Sequence, residues 1–159
     1  MVGTLTADEA RAVAWAGENL DSLTLSVRTK KQKASMTVYN MRSDIQAKLQ
    51  NGEPHFIINL TGKAELNSVI PVLKAKDIVG TKDIEQAAND KVNAHLTHAL
   101  QTAKHQGADI LRLGYRLEWR HPQVWKKLRP TWVNYVKNDL QFTVKTNINI
   151  QFVGSESSF

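Results

Sequence analysis

The 159-residue chain contains no cysteine, which excludes disulfides, thiolate metal sites and cysteine nucleophiles. It has no apolar run near the roughly 18 residues needed to cross a bilayer. Its first residues lack the basic-then-apolar pattern of a signal peptide. There is also no G-x-S-x-G turn, phosphate-binding glycine loop or dinucleotide fingerprint. We therefore predict that the protein is not an enzyme and uses no cofactor or metal.

Positive charge exceeds negative charge in the chain. Twenty-one lysines and arginines against 15 acidic residues give a formal net charge of +6. This balance favours anionic partners such as nucleic acid, an anionic membrane surface or an acidic protein, although it also serves solubility.

The stretch from Thr81 to Asp109 is predicted to be one long helix and its following turn. Thr81 is the expected N-cap, and Gly107 lies where a left-handed C-terminal cap is easiest for glycine. At 1.5 Å per residue, about 25 residues span roughly 38 Å. The apolar residues recur at spacings of three and four and form one stripe that must pack on another surface: Ile84, Ala88, Val92, Leu96, Ala99, Leu100 and Ala103.

The N-terminal part of the chain predicts a short helix and the first strand. Thr6 and Glu9 fit a capping box, and Gly17 marks the end of that helix. Residues 22–30 alternate between apolar and polar side chains, as a half-buried strand does. A charged turn of lysines follows, formed by Lys30, Lys31 and Lys33.

Two more strands are predicted before the long helix. The second begins near Ser35, and its second half could instead be a short helix capped by Asp44. Asn51-Gly52 favours the strand, because this dipeptide between extended runs is a strong hairpin signal. The third strand occupies residues 54–66, and residues 67–80 are interpreted as a connection.

Two shorter helices and a last strand follow the long helix. Residues 110–120 form the first of these helices, and His121-Pro122 ends it because the residue before proline leaves the helical region. Pro122 then begins a short helix through Leu128. From Leu140 to Phe152 apolar and polar residues alternate without a break, which predicts a strand with one covered face.

The segregation of strands from helices predicts an α+β fold. We expect an antiparallel sheet of about four strands, with the long helix packed on one face and the shorter helices before the last strand. Residues 4–153 are expected to form a single domain, and residues 154–159 a disordered tail.

Neither of the two candidate chemical sites in the sequence is convincing. His95, His98 and His105 lie on the long helix without the further ligands that zinc requires, so they are interpreted as solvent-facing. Asp109 has no nucleophile or second acid beside it. We expect it to cap the following helix by accepting backbone N–H bonds.

A basic surface is the strongest interaction candidate. Cations interleaved with Trp119, Trp125 and Trp132 would suit phosphate contact and stacking. The alternative is a solvated basic face whose tryptophans anchor the helices to the sheet, and nucleic acid is the less favoured partner because no nucleic-acid motif is present. The candidate residues are Arg112, Arg116 and Arg120, which are spaced by four as on one helix face, and then Lys126 and Lys127.

An ordered set of motifs over residues 4–153 resembles the C-terminal domain of the Ger(x)C family, the C-subunit lipoproteins of spore germinant receptors. A short helix carrying a tryptophan, the Asn51-Gly52 turn and the alternating last strand fit the same order. The matching residues of the second half are Gly107-Ala108-Asp109-Ile110-Leu111, Gly114, His121-Pro122, Trp125-Lys126-Lys127 and Trp132.

The resemblance implies a non-enzymatic subunit of a nutrient receptor in spore germination, acting as a protein–protein docking module. Its partners would be the A and B membrane subunits of the receptor. The full-length protein would be held by an N-terminal lipid on the outer face of the inner spore membrane of a Gram-positive spore former. The resemblance assigns no binding role to individual residues.

Overall fold

Four strands and five α-helices form the part of the chain described by the computed structural model, residues 4–72 and 78–151. The predicted tail lies outside these residues. A 3-10 turn, Arg129–Thr131, separates the last two helices. In chain order the elements are α1 (Ala7–Ala16), β1 (Ser22–Arg28), β2 (Lys33–Gln50), β3 (Glu53–Ile70), α2 (Ile78–His105), α3 (Leu113–Arg120), α4 (Pro122–Leu128), α5 (Trp132–Asp139) and β4 (Gln141–Ile150).

The strands lie in chain order, β1-β2-β3-β4, in one sheet. The α+β class and the four strands are confirmed, but the expectation of a wholly antiparallel sheet is wrong. β4 runs parallel to β3, with Phe56 opposite Phe142 and Ala64 opposite Ile150. A parallel neighbour requires a long crossover, and the chain provides one because α2 to α5 all lie between these two strands.

The hairpin of β2 and β3 is longer than predicted. Asn51 and Gly52 both have positive φ, 52° and 80°, as a type I′ turn requires. β3 continues to Ile70, beyond the predicted end at residue 66, and stops before Pro71 because proline has no N–H for the ladder. The first part of the predicted connection is therefore strand.

A bulge keeps the long β2 strand in register with the core. Asn40 and Met41 both lie opposite Gly62, between the pairs Tyr39–Lys63 and Arg42–Thr61. Buried residues fall at even numbers before the bulge and at odd numbers after it. One extra residue reverses the alternation of a strand, so both halves of β2 present their apolar side chains to the same face.

Trp15 of α1 packs beside this bulge and is 1% exposed. Its indole N–H donates to the Arg42 carbonyl oxygen at 3.1 Å. A Cβ at Gly62 would lie 3.2 Å from the Trp15 ring and 2.9 Å from a Val38 methyl. Glycine therefore lets the indole approach the sheet.

The apolar stripe of α2 is buried throughout, as predicted. The prediction of Thr81 as N-cap is wrong. The helix begins at Ile78, so Thr81 lies inside it and is buried, whereas an N-cap has a non-helical backbone. The end of α2 agrees with prediction: Gly107 has φ 70°, and its N–H bonds the Lys104 carbonyl while that of Ala108 bonds Ala103.

Side chains of α2 bond the outer edge of β4. The Ile148 and Ile150 backbone N–H groups donate to Asn89 and Glu85 at 2.7 and 2.8 Å. At the other edge of the sheet, the Lys91 ammonium donates to the Ser26 carbonyl of β1 at 2.6 Å. The long helix thus contacts both edge strands of the sheet.

Glu9 joins α1 to α2. Its carboxylate accepts the Thr6 backbone N–H at 2.8 Å and pairs with the His98 imidazole, and the Thr6 hydroxyl accepts the Glu9 N–H. The capping box is confirmed. The backbone bond from Thr6, and next the bond from His98, lower the pKa of Glu9 to about 2.

We expect Glu9 to make stability depend on pH in the acidic range. Its pKa is depressed from 4.5 in the unfolded chain to about 2 in the folded one. The stabilising contribution is therefore complete above the unfolded value and is lost as pH falls from 4.5 towards 2. Urea unfolding across this range should show a shallower pH slope for Glu9→Gln than for wild type. Glu65→Gln, a change on the outer sheet face, should keep the wild-type slope, and equal slopes for Glu9→Gln and wild type would contradict the assignment.

Candidate interaction surface

Asp109 fixes the start of α3. Its carboxylate accepts the backbone N–H groups of Leu113 and Gly114 at 2.7 and 2.8 Å, so its predicted capping role is confirmed. The helix begins three residues later than predicted because Arg112 has a left-handed backbone, φ 55° and ψ 46°. The same carboxylate accepts the Trp132 indole N–H at 3.1 Å and thereby links α3 to α5.

An aromatic cluster locks α3, α4 and α5 together. The rings of Trp125 and Trp132 meet edge to face at 5.2 Å, and Trp132 stacks on Tyr135 at 5.5 Å. A Cβ at Gly114 would lie 2.8 Å from the Trp125 ring, so glycine is needed where α3 crosses it. Trp125 and Trp132 are therefore packed against the core, as the alternative interpretation expected, but their ring contacts join the helices to one another and not to the sheet.

Two polar contacts hold this helical cluster on the β2–β3 hairpin. The Tyr135 hydroxyl donates to the Glu53 carboxylate at 3.2 Å, and a His121 ring nitrogen lies 3.0 Å from the Ala47 carbonyl oxygen. Burial, and next the Glu53 charge, raise the pKa of Tyr135 above its ordinary range. The phenol therefore stays protonated and can keep donating to Glu53.

The exposed face of α3 carries aromatic residues at its centre. Leu113, Gly114 and Leu117 form the buried face. At 100° per residue, Trp119 projects opposite that face with Tyr115 beside it. Their side chains are 73% and 60% exposed, and the rings meet edge to face at 6.4 Å. Around the helix, Arg116 and Arg120 flank these rings on one side and Glu118 on the other.

The predicted basic stripe is only partly a helix stripe. Arg116 and Arg120 share a face of α3, but Arg112 lies before the helix in its left-handed conformation. All three are exposed, as are Lys126 and Lys127 on α4. Of the three tryptophans in the predicted basic surface, Trp119 is the one whose side chain is largely exposed. Whether these side chains bind a partner stays a prediction.

We call Tyr115, Arg116, Trp119 and Arg120 the α3 surface. The sequence predicts its arginines as an interaction surface, but it does not predict that Tyr115 and Trp119 are exposed side by side. Their signal was the spacing of four between Tyr115 and Trp119, out of phase with the buried leucines.

The histidines of α2 do not gather into a metal site. His98 pairs with Glu9 although most of its ring is exposed, His105 is exposed and His95 is half-buried, so the solvent-facing interpretation fails for His95. Within residues 4–72 and 78–151 no three histidine or acidic side chains are placed to hold a metal ion.

The described helices include none that is long and apolar enough to cross a membrane.

The fold is an α+β domain in which one long helix packs on a mixed four-stranded sheet, and α3 presents an exposed face of aromatic residues and arginines. Residues 1–154 match the family model described as "Spore germination B3/ GerAC like, C-terminal". The chain belongs to this family, and the resemblance seen in the sequence is confirmed.

Two known proteins are similar to this chain. Spore germination protein KC of Bacillus subtilis (strain 168) is 22% identical over 124 residues, covering 78% of this chain and 30% of that protein. The crystal structure of the GerBC protein superposes with a TM-score of 0.82 at 18% identity, covering 95% of this chain and 47% of that one. The GerBC match supports the fold, and this chain spans less than half of either protein.

Proposed function

We propose that this chain is a non-enzymatic domain of a nutrient germinant receptor in spore germination, and that it docks to another receptor protein through the α3 surface. Membership of a spore germination family supports the setting. The proposed partners are the A and B membrane subunits. In the full-length protein an N-terminal lipid would hold the domain at the outer face of the inner spore membrane, and docking needs no cofactor or covalent step.

The composition and exposure of the α3 surface carry this proposal. Tryptophan, tyrosine and arginine are the residues that most often dominate binding energy at protein interfaces. Here Trp119 and Tyr115 are largely exposed in the centre, with Arg116 and Arg120 at the flank.

Hydrogen bonds and ring packing hold the α3 surface rigidly on the rest of the domain. Asp109 bonds two backbone N–H groups at the start of α3, and the ring of Trp125 packs where Gly114 leaves room. A preorganised surface loses less side-chain and loop freedom on binding, which favours affinity.

A basic site for anionic lipid or nucleic acid was the alternative for these residues. An apolar-centred interface should resist salt, whereas phosphate binding should weaken steeply as salt rises. The aromatic centre and the neighbouring Glu118 carboxylate favour a protein partner, and nucleic acid is not expected.

The test is capture of identified receptor subunits by the immobilised chain. Detergent-solubilised spore membranes would be applied, treated with nuclease, and washed at low salt and then at about 0.5 M salt, where the Debye length is only a few ångströms. Mass spectrometry should find the A or B subunit retained through both washes. Trp119→Ala should reduce the retained amount about 10- to 30-fold, as expected for an interface hot spot.

Tyr39→Ala is the matched control, because Tyr39 is also exposed but lies on the outer face of the sheet. It should retain the subunits as wild type does. Release of both subunits by salt, or equal retention by the Trp119 and Tyr39 variants, would contradict docking through α3.

A further inference from the structure

The end of the sheet farthest from α3 carries a second surface, made of lysines and exposed aliphatic side chains. β2 begins there at Lys33 and reaches the helical cluster fourteen residues later, at Ala47. That distance is up to about 46 Å along a strand at 3.3 Å per residue. We call this surface the lysine end; it consists of Arg28, Lys30, Lys31, Lys33, Ile70, Val72 and Lys91.

The pairing of the strands brings the two kinds of side chain together. Arg28 of β1 lies opposite Lys33 of β2, which lies opposite Ile70 of β3. Neighbouring strands are about 4.8 Å apart, so this row of three spans about 10 Å. The turn of residues 28–33 adds Lys30 and Lys31 and contains no carboxylate.

The aliphatic side chains of the lysine end stand in solvent. Ile70 and Val72 are 67% and 85% exposed. Single exposed apolar residues are ordinary on protein surfaces, but these two lie at the end of the strand that pairs with Lys33, beside the cation cluster.

A groove between β1 and α2 opens at the same end. It has a volume of about 340 Å³, and its described lining consists of Arg28, Lys33 and Lys91 with Ser26, Val27 and Ala87. None of these described lining residues is a carboxylate. The Lys91 ammonium donates one hydrogen bond to the Ser26 carbonyl oxygen, and this bond places the ammonium group at the edge of the sheet beside the groove. The groove therefore offers cationic donors to an anionic group.

We propose that the lysine end binds the surface of an anionic lipid bilayer. The lysines and Arg28 contact phosphate headgroups, the groove accepts one headgroup, and Ile70 and Val72 enter the boundary between headgroups and acyl chains. Clusters of four or more cations beside apolar side chains fit such surfaces, since charge attracts the protein and apolar burial retains it.

The chemistry of the lysine end fits lipid better than the other anionic partners. Lysine is depleted at protein interfaces, where arginine and aromatic residues are enriched, and those residues are on α3. Single-stranded nucleic acid is bound by cations together with aromatic rings that stack on bases, whereas the apolar side chains here are aliphatic.

The test is co-sedimentation of the full chain with vesicles. Vesicles of phosphatidylcholine with about 30% phosphatidylglycerol should bind wild type at low salt, pure phosphatidylcholine should not, and rising salt should weaken binding. Neutralising three lysines in the variant Lys30→Gln/Lys31→Gln/Lys33→Gln should lower the partition coefficient on the order of 100-fold. The matched control, Arg112→Gln/Arg116→Gln/Arg120→Gln, removes the same charge from the other end of the domain and should lose far less.

The variant Ile70→Ser/Val72→Ser tests the aliphatic part of the lysine end and should weaken vesicle binding even at low salt. The control is Leu49→Ser, in the β2–β3 hairpin at the other end of the sheet, which should bind as wild type does. Equal losses in the two charge variants would show that net charge alone is responsible and would overturn the proposal. Tighter binding of the wild type to a DNA duplex than to anionic vesicles would also overturn it. Because none of the lysine-end variants changes α3, the outcome is independent of docking through the α3 surface.

Discussion

Replacing Trp15 by alanine is expected to lower the free energy of unfolding by about 4–5 kcal/mol, because removing a buried tryptophan costs about 3–5 kcal/mol and an indole hydrogen bond is lost as well. Trp15 is 1% exposed, and its ring fills the space over Gly62 beside the bulge of β2. For a chain of this size the change corresponds to a fall in Tm of about 8–20 °C. Urea unfolding followed by circular dichroism measures the difference.

Two variants separate the contributions at this position. Trp15→Phe keeps an aromatic ring but cannot donate to the Arg42 carbonyl, and it should cost about 1–2 kcal/mol. Trp119→Ala removes the same side chain from a 73% exposed position and should change stability by less than about 0.5 kcal/mol. A cost for Trp15→Ala near that of Trp119→Ala would show that α1 is not anchored through this ring.

Replacing Asp109 by alanine is expected to cost about 3–4 kcal/mol. One carboxylate accepts three hydrogen bonds, from the Leu113 and Gly114 backbones and the Trp132 indole. Hydrogen bonds to a charged group contribute about 1.5–3 kcal/mol each, and contributions from one group are not additive. Fluorescence-detected urea unfolding should report the change, since Trp125 and Trp132 lie in the affected cluster.

Asp109→Asn should cost less than Asp109→Ala, because its amide oxygen can still accept while its nitrogen cannot. Asp21→Ala, at an exposed acidic residue outside this cluster, should stay within about 0.5 kcal/mol of wild type. If Asp109→Ala were as stable as that control, the carboxylate would not hold α3. Asp109 would then also not be the residue that holds the proposed docking surface rigidly in place.

Local sequence patterns predict the elements that depend on residues close together in the chain. The stripe of α2, the capping box of α1 and the Asn51-Gly52 turn depend on residues close together in the sequence, and the structure agrees with each. The direction of β4 did not follow, because alternation with a period of two is the same in parallel and antiparallel strands. The parallel direction of β4 beside β3 depends on the long crossover that precedes it, since a short turn would allow only an antiparallel neighbour.

Other errors have identifiable causes. The second half of β2 was ambiguous because the bulge at Asn40 and Met41 reverses the alternation. The sequence analysis does not predict α5, because the helical spacing of Trp132, Tyr135 and Val136 extends over only a short run. The start of α3 depends on the Asp109 side chain and a left-handed Arg112, which no periodicity reveals.

The candidate surfaces were visible in the sequence only in part. The arginines of the α3 surface and the charged turn of Lys30, Lys31 and Lys33 were recognised. The exposure of Trp119 was not, because only the cluster around Trp125 and Trp132 shows which tryptophans pack inside. A further bulge lies in β3, where Asn67 is the extra residue between the pairs Ser35–Ser68 and Met36–Leu66. The register that brings Ile70 beside Lys33 depends on this bulge, which the sequence does not predict.

The bonds from Asn89 and Glu85 to β4 have a consequence for self-association. A sheet edge with free N–H groups is a template on which another chain can add a strand and start aggregation. Here the Ile148 and Ile150 N–H groups of that edge are already occupied by α2. Another chain therefore cannot extend the sheet through these two N–H groups, and α2 protects this part of the β4 edge from strand addition.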